Sequence, residues 1–192
     1  VQFRLAGGRF KQGAAGDYPP AEASSDDLTA WAKARNLKFL GEGINRRAYL
    51  LPDGKVFKVE LRGNPSDPDS HNTDTQVYVY HNEKPQFFPK LYAYGNNWVV
   101  EERVSPVTEL LGMNRYAWNE AARALASCDS EYEVDELAGE NYFVGKLWRD
   151  KKVRALIEMF LRNGLDLAEL RLDNLGKRSN GQVVVLDYER PV

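Results

Sequence analysis

Three short constellations in this chain could do chemistry. Gly41-Glu42-Gly43 lies between two strand-like runs, and Lys58 stands on the next run, Lys55-Val56-Phe57-Lys58-Val59-Glu60. Backbone N–H groups can approach a phosphate closely where side chains are absent, and a nearby ammonium supplies charge. The second constellation is Glu169-Leu170-Arg171-Leu172-Asp173-Asn174. The third is Asp187, at the end of the apolar run Val183-Val184-Val185-Leu186. An amide oxygen and a carboxylate from opposite strands of one hairpin suit Mg²⁺, which takes hard oxygen ligands and keeps several waters. Taken singly, each has an ordinary structural meaning: a tight turn, a solvated strand lysine, a turn asparagine, a strand-end cap.

The elements that must position these residues follow from pattern. Residues 1–25 are rich in Gly, Pro and small residues and read as an extended arm. Ser24-Ser25-Asp26-Asp27 supplies a helix cap and an acidic first turn, with Leu28, Trp31, Ala32 and Leu37 as an apolar face. Strands follow around Lys38–Leu40, leading into Gly41-Glu42-Gly43, then Arg47–Leu51 and Lys55–Glu60, with a Pro52-Asp53-Gly54 turn. Residues 62–72 read as a polar loop and 73–83 as a helix. Phe87–Gly95 and Trp98–Val104 read as strands about an Asn96-Asn97 turn. Beyond Ser105 the period becomes helical, with Leu110, Leu111, Trp118, Ala121, Ala122 and Leu125 marking one or two helices. Asp129–Glu140 reads as a loop or an exposed helix. Val153, Leu156, Ile157, Phe160 and Leu161 recur at the spacing of an amphipathic helix, which Asn163-Gly164 stops. A terminal hairpin turns at Ser179-Asn180-Gly181. The expected class is α+β.

Bulk properties bound the function. The 192 residues are 43% hydrophobic with a net charge of −2, which supports a real core and gives no basic surface for nucleic acid. One cysteine, Cys128, and two histidines, His71 and His81, disfavour zinc and exclude an internal disulfide. There is no long apolar run or leader pattern, so a soluble cytoplasmic protein without a membrane partner is expected.

Together the three constellations resemble the protein-kinase-like superfamily. The shared order is Gly-x-Gly, strand Lys, helix, strand with Glu, long helix, acid-x-x-x-x-Asn, hairpin, Asp. Glu169-Leu-Arg-Leu-Asp-Asn174 is similar to the Asp-Leu-Arg-Pro-Asp-Asn loop of kinase-like phosphotransferases, and Asp187 follows Asn174 by 13 residues. Phe88-Pro89-Lys90-Leu91-Tyr92 and Val99-Val100-Glu101 resemble the segment that leads to the hinge. The likeness spans residues 38–190 and is closest in economy to small phage-encoded and aminoglycoside-kinase-like enzymes. Beside the arm and short helix that composition gives over 1–37, it implies a small antiparallel β N-lobe over 38–104 and a reduced helical C-lobe over 105–192. It further implies ATP and Mg²⁺ as cofactors. The backbone of Gly41 to Gly43 would cover the phosphates and Lys58 would contact them. Adenine would bond to backbone near Glu101 to Arg103, and Asn174 and Asp187 would hold the metal.

The sequence departs from the family at several points. Arg46 replaces the third glycine, either stiffening the loop or adding a phosphate contact. Glu169 stands where the family has a catalytic Asp, one methylene longer, which moves the carboxylate by about 1.5 Å. Asp166 is the rival base. Leu167-Ala168 replaces the His-Arg of eukaryotic kinases, and Asp187-Tyr188-Glu189 replaces Asp-Phe-Gly. The family's helix glutamate falls best on Gln76, with Asp74 and Glu83 as rivals. Five residues follow Asp187, so the likeness supplies no activation segment, and no protein substrate is inferred. Two readings stand open: a phosphotransferase acting on a protein or small-molecule hydroxyl, and a pseudokinase that binds nucleotide or a protein partner without turnover. A third is an unrelated α+β interaction domain.

Overall fold

In the computed structural model, residues 18–43, 46–61, 72–83 and 85–186 are described. Helix α1 (Ser25–Ala34) leads to β1 (Lys38–Glu42), β2 (Arg46–Leu50) and β3 (Val56–Glu60). Helix α2 (Asn72–Asn82), β4 (Leu91–Gly95) and β5 (Trp98–Glu101) complete a five-stranded antiparallel sheet in the order β1-β2-β3-β5-β4. The class is α+β, as the pattern predicts.

Strand alternation divides this sheet into two unlike faces. Tyr49, Phe57, Val59, Trp98 and Val100 form one face with Leu28 and Ala32 of α1, an apolar cluster. The α1 cap is the expected one: the Ser24 hydroxyl accepts from the Asp27 amide at 3.2 Å. Pro20 and Ala21 lie over the β4–β5 turn, where the Pro20 carbonyl accepts from Trp98 Nε1 at 3.1 Å and the Ala21 carbonyl from the Asn96 amide at 2.7 Å. Arg46, Lys58 and Glu101 fall on the opposite face. The register pairs Arg46 with Glu60, Ala48 with Lys58, Lys58 with Val99 and Val56 with Glu101. A period of two therefore sets those polar residues on one side, under α2.

The second half begins with β6 (Ser105–Pro106), β7 (Glu109–Leu110) and β8 (Met113–Asn114). The helices are α3 (Arg115–Leu125), α4 (Glu131–Glu140), α5 (Tyr142–Arg149) and α6 (Lys151–Asn163). Short 3₁₀ turns at Leu167–Leu170 and Leu172–Asn174 lead to β9 (Leu175–Lys177) and β10 (Val183–Val185), which join β6 in a three-stranded sheet. The larger core lies here, among Trp118, Leu125, Val144, Leu147, Ile157, Met159 and Phe160. Cys128 belongs to it, and burial pushes its thiol above the usual cysteine range. Thiol-disulfide exchange needs the thiolate, so Cys128 should react with a disulfide reagent at neutral pH at least about tenfold more slowly than in unfolded chain. Equal rates would show that the site opens.

Two sequence expectations are corrected. Leu110 and Leu111 are not helical: Leu110 pairs with Met113 across a two-residue turn in which Leu111 and Gly112 have φ of 54° and 63°. Positive φ at both central residues is the hairpin geometry that matches strand twist, and Gly112 meets it without a side-chain clash. The strand expected from Phe87 starts at Leu91, because Pro85–Phe87 form a 3₁₀ turn and Phe87 and Phe88 turn into the helical core.

Gly176 sets the distance between linker and hairpin. A Cβ there would lie 2.3 Å from Val104 Cγ2 and 3.1 Å from Leu186 Cδ2. Valine is stiff at χ1 and cannot swing aside cheaply. Gly176→Ala should cost about 1–3 kcal/mol in a urea titration, as overpacked sites do. A neutral result would mean the linker is free to rise.

Candidate functional site

The polar face of the sheet carries a chain of buried contacts. Lys58 Nζ lies 2.7 Å from Glu101 Oε1 and donates to the Leu186 carbonyl at 2.9 Å. Gln76 Nε2 donates to Glu101 Oε2 at 2.9 Å, and Arg46 Nη1 donates to Gln76 Oε1 at 2.5 Å. Arg46, Gln76 and Glu101 are all under 10% exposed, so each contact is made away from water. Gln76 reaches the lysine through Glu101. It sits at the helix position expected from the sequence, yet the counter-ion comes from β5. Glu83 turns instead to Asn163 Nδ2 at 2.7 Å and Arg162, and the side chain of Asp74 lies outside the described residues.

Arg46 is buried against Gln76. Glu101 contributes its side chain to the ion pair, a role not foreseen beside the expected backbone contact. One signal could have found it: Glu101 continues the apolar run Trp98-Val99-Val100, and an acid drawn into a buried strand needs a partner. Arg103 is exposed in the linker and joins no part of this cluster. Gly41 and Gly43 belong to the β1–β2 hairpin, which the Gly43 amide closes on the Arg46 carbonyl at 2.9 Å. A Cβ on either glycine would meet nothing within 4 Å, so the protein itself makes no demand for glycine there. Residues 44–45 at the hairpin tip lie outside the described residues.

The loop after α6 carries the second group. Asp166 caps the first 3₁₀ turn, accepting from the Ala168 amide at 2.8 Å. That occupation suits a structural acid better than a base. The Glu169 carboxylate curls onto its own loop, accepting from Asn174 Nδ2 at 2.5 Å and pairing with Arg171 at 3.1 Å. Asn174 Nδ2 also donates to the Glu169 carbonyl at 3.0 Å. With its nitrogen so engaged, Asn174 presents Oδ1 elsewhere, and nothing among the described residues donates to that oxygen. The Leu186 amide donates to the Asn174 carbonyl at 2.7 Å. Leu186 therefore touches both Asn174 and Lys58, and so links the two halves of the site. Asp187, the next residue, lies outside the described residues.

Beside this junction is a cleft of about 310 Å³. Val104, Val107, Leu172, Leu175 and Leu186 give it apolar walls, and Arg115 and Asp173, paired at 2.8 Å, stand on its polar side. None of these linker residues was singled out from sequence. Neither Lys58 nor Glu169 lines the cleft; it adjoins the polar cluster through Leu186. Among the described residues, no three His, Cys, Asp or Glu side chains gather where a metal could bind, and no helix is long and apolar enough to cross a membrane. The chain matches no model of a known protein family and no curated protein.

Proposed function

We propose that this site binds a nucleotide as its Mg²⁺ complex and that the chain is a kinase-like phosphotransferase acting on a hydroxyl. The observation that carries the reading is the double contact of Lys58, to Glu101 at 2.7 Å and to the carbonyl preceding Asp187 at 2.9 Å. A strand lysine tied to a buried carboxylate stays oriented while keeping an N–H for an incoming phosphate. The chain order also supports it: a small antiparallel sheet with α2 between β3 and β4, then helices, a loop with Glu169 and Asn174, and a hairpin leading to Asp187. That is the order of the family the sequence resembles.

The residues fit the group they would hold. Asn174 Oδ1 offers one hard oxygen and Asp187 a carboxylate, the small donor set Mg²⁺ uses when phosphate oxygens and waters complete its shell. When bound, the cation would neutralise charge developing on the phosphates. Lys58 would hold the α- and β-phosphates. The base would enter the cleft against Val104, Leu175 and Leu186, further along the linker than Glu101 to Arg103. A rise in thermal midpoint that needs ATP and Mg²⁺ together tests this. At 100 times the dissociation constant it corresponds to about 2.7 kcal/mol, or roughly 5–10 °C for a chain of this size. No rise at millimolar ATP would sink the reading.

One observation favours a second reading, a binding module without turnover. The Glu169 carboxylate is occupied by Asn174 and Arg171, so it holds the loop together rather than facing outward as a base. On that reading nucleotide binds and its γ-phosphate is never lost. Mg²⁺-dependent phosphate release by the parent chain would exclude it.

A further inference from the structure

Helix α3 precedes the Glu169–Asn174 loop by some fifty residues, yet it holds the middle of that loop. Trp118 Nε1 donates to the Leu170 carbonyl at 2.7 Å, and Asn119 Oδ1 accepts from the Leu172 amide at 2.8 Å. The Leu170 and Leu172 side chains are 2% and 1% exposed, so the loop backbone runs through the core and its polar groups need partners. The side chains of α3 supply two of them. Most of the other ties are local: Asp166 to the Ala168 amide, the Asn174 amide to the Arg171 carbonyl, and Asn174 Nδ2 to Glu169; at its far end the loop is also held by the hairpin, where the Leu186 amide donates to the Asn174 carbonyl. Local ties fix the shape of the loop. Only a distant element can fix its place against the rest of the site.

The two α3 contacts fall between Glu169 and Asn174. They bracket Arg171, which is exposed, and they leave both functional side chains outside the pinned segment. The third α3 contact, Arg115 to Asp173, joins two side chains that are 70% and 47% exposed. Such a pair contributes little, so the hold from α3 rests on Trp118 and Asn119. Trp118 is 1% exposed and anchors α3 in the large core, while Asn119 lies one residue further along and is only partly buried. Asn119 therefore carries an interaction that can be removed without opening the core.

We infer that Asn119 is the positioning residue of this loop: by holding the Leu172 amide it sets where Asn174 presents its oxygen to a cation. The inference rests on the nucleotide reading above. Its expected signature has two parts. In Asn119→Ala, exchange of the Leu172 amide with solvent speeds up in ¹⁵N-labelled protein. The gain in ATP affinity on adding Mg²⁺ falls by about 10- to 100-fold, the range seen when a residue supporting a metal ligand is lost. ATP affinity without Mg²⁺ stays at the parent value, which shows that the fold and the Lys58 region are intact. Asn119→Asp keeps an acceptor oxygen and should restore both the protection and the Mg²⁺ effect.

Unchanged exchange at Leu172 in Asn119→Ala would overturn the inference, and so would faster exchange with the Mg²⁺ effect intact. If the parent chain shows no Mg²⁺-dependent gain, the nucleotide reading itself fails. The variant outcomes remove only the positioning role.

Discussion

Glu101→Leu should lower stability by about 3–5 kcal/mol, the range for breaking a buried ion pair from one side. The carboxylate is 3% exposed and its lysine partner 14%. Without Glu101, Lys58 keeps one carbonyl contact and loses its counter-ion, and the Gln76 amide loses its acceptor. Lys58 is then a partly desolvated charge without its counter-ion, which costs more than the bond was worth. Lys58→Met alone should be costly for the same reason, since it leaves Glu101 as an unpaired buried charge. The double variant Glu101→Leu with Lys58→Met should recover most of the loss, because two apolar side chains suit a buried site better than one charge. Urea titrations of all four proteins would measure the coupling. Additive losses would mean that the pair is not the unit the geometry implies.

The two faces of the sheet explain what was legible in the sequence. The runs at Lys55–Glu60 and Trp98–Glu101 show their alternation plainly, and the α1 cap and the Asn163-Gly164 stop have local chemistry. These elements stand where the pattern places them. The segment 105–114 does not, because three very short strands carry no period. Its hairpin depends on Leu111 adopting φ of 54°, a conformation that leucine rarely takes and that residue type therefore cannot announce. Phe87 and Phe88 look like strand residues for the same reason that they are good core residues. Only the tertiary fold shows which core they enter.

The site divides in the same way. Lys58, Asn174 and Gln76 are singled out by the family order that the sequence resembles, and in the structure Lys58 meets the Leu186 carbonyl while Asn174 meets its amide. Glu101 as the counter-ion depends on strand register: Val56 opposite Glu101 and Lys58 opposite Val99 make the two charges diagonal neighbours on one face. Register between β3 and β5 spans some forty residues and has no local signature. The cleft walls were missed because Val104, Val107 and Leu175 read as ordinary apolar residues until the linker is laid on the hairpin. Gly176 permits that contact, but glycine is common in hairpins for the sake of the backbone alone, so its type does not point to a crossing chain.

Asn174→Ala and Glu169→Gln should separate the two functional readings. On the proposed nucleotide site, Asn174→Ala removes a side-chain oxygen to which nothing among the described residues donates. The thermal shift that needs ATP and Mg²⁺ together, about 2.7 kcal/mol at 100 times the dissociation constant, should vanish. Glu169→Gln preserves length and shape, and its amide can still accept from Asn174 Nδ2 and meet Arg171 through its oxygen. Binding should therefore be retained. If Glu169 acts as a base, phosphate transfer should fall by about 10²- to 10⁴-fold, the usual contribution of a positioned acid or base. If it only braces its loop, any turnover the parent shows should survive the change. Retained turnover in Glu169→Gln together with a lost Mg²⁺ effect in Asn174→Ala would leave the nucleotide site standing and remove the base. That outcome fits a carboxylate already bound by Asn174 and Arg171.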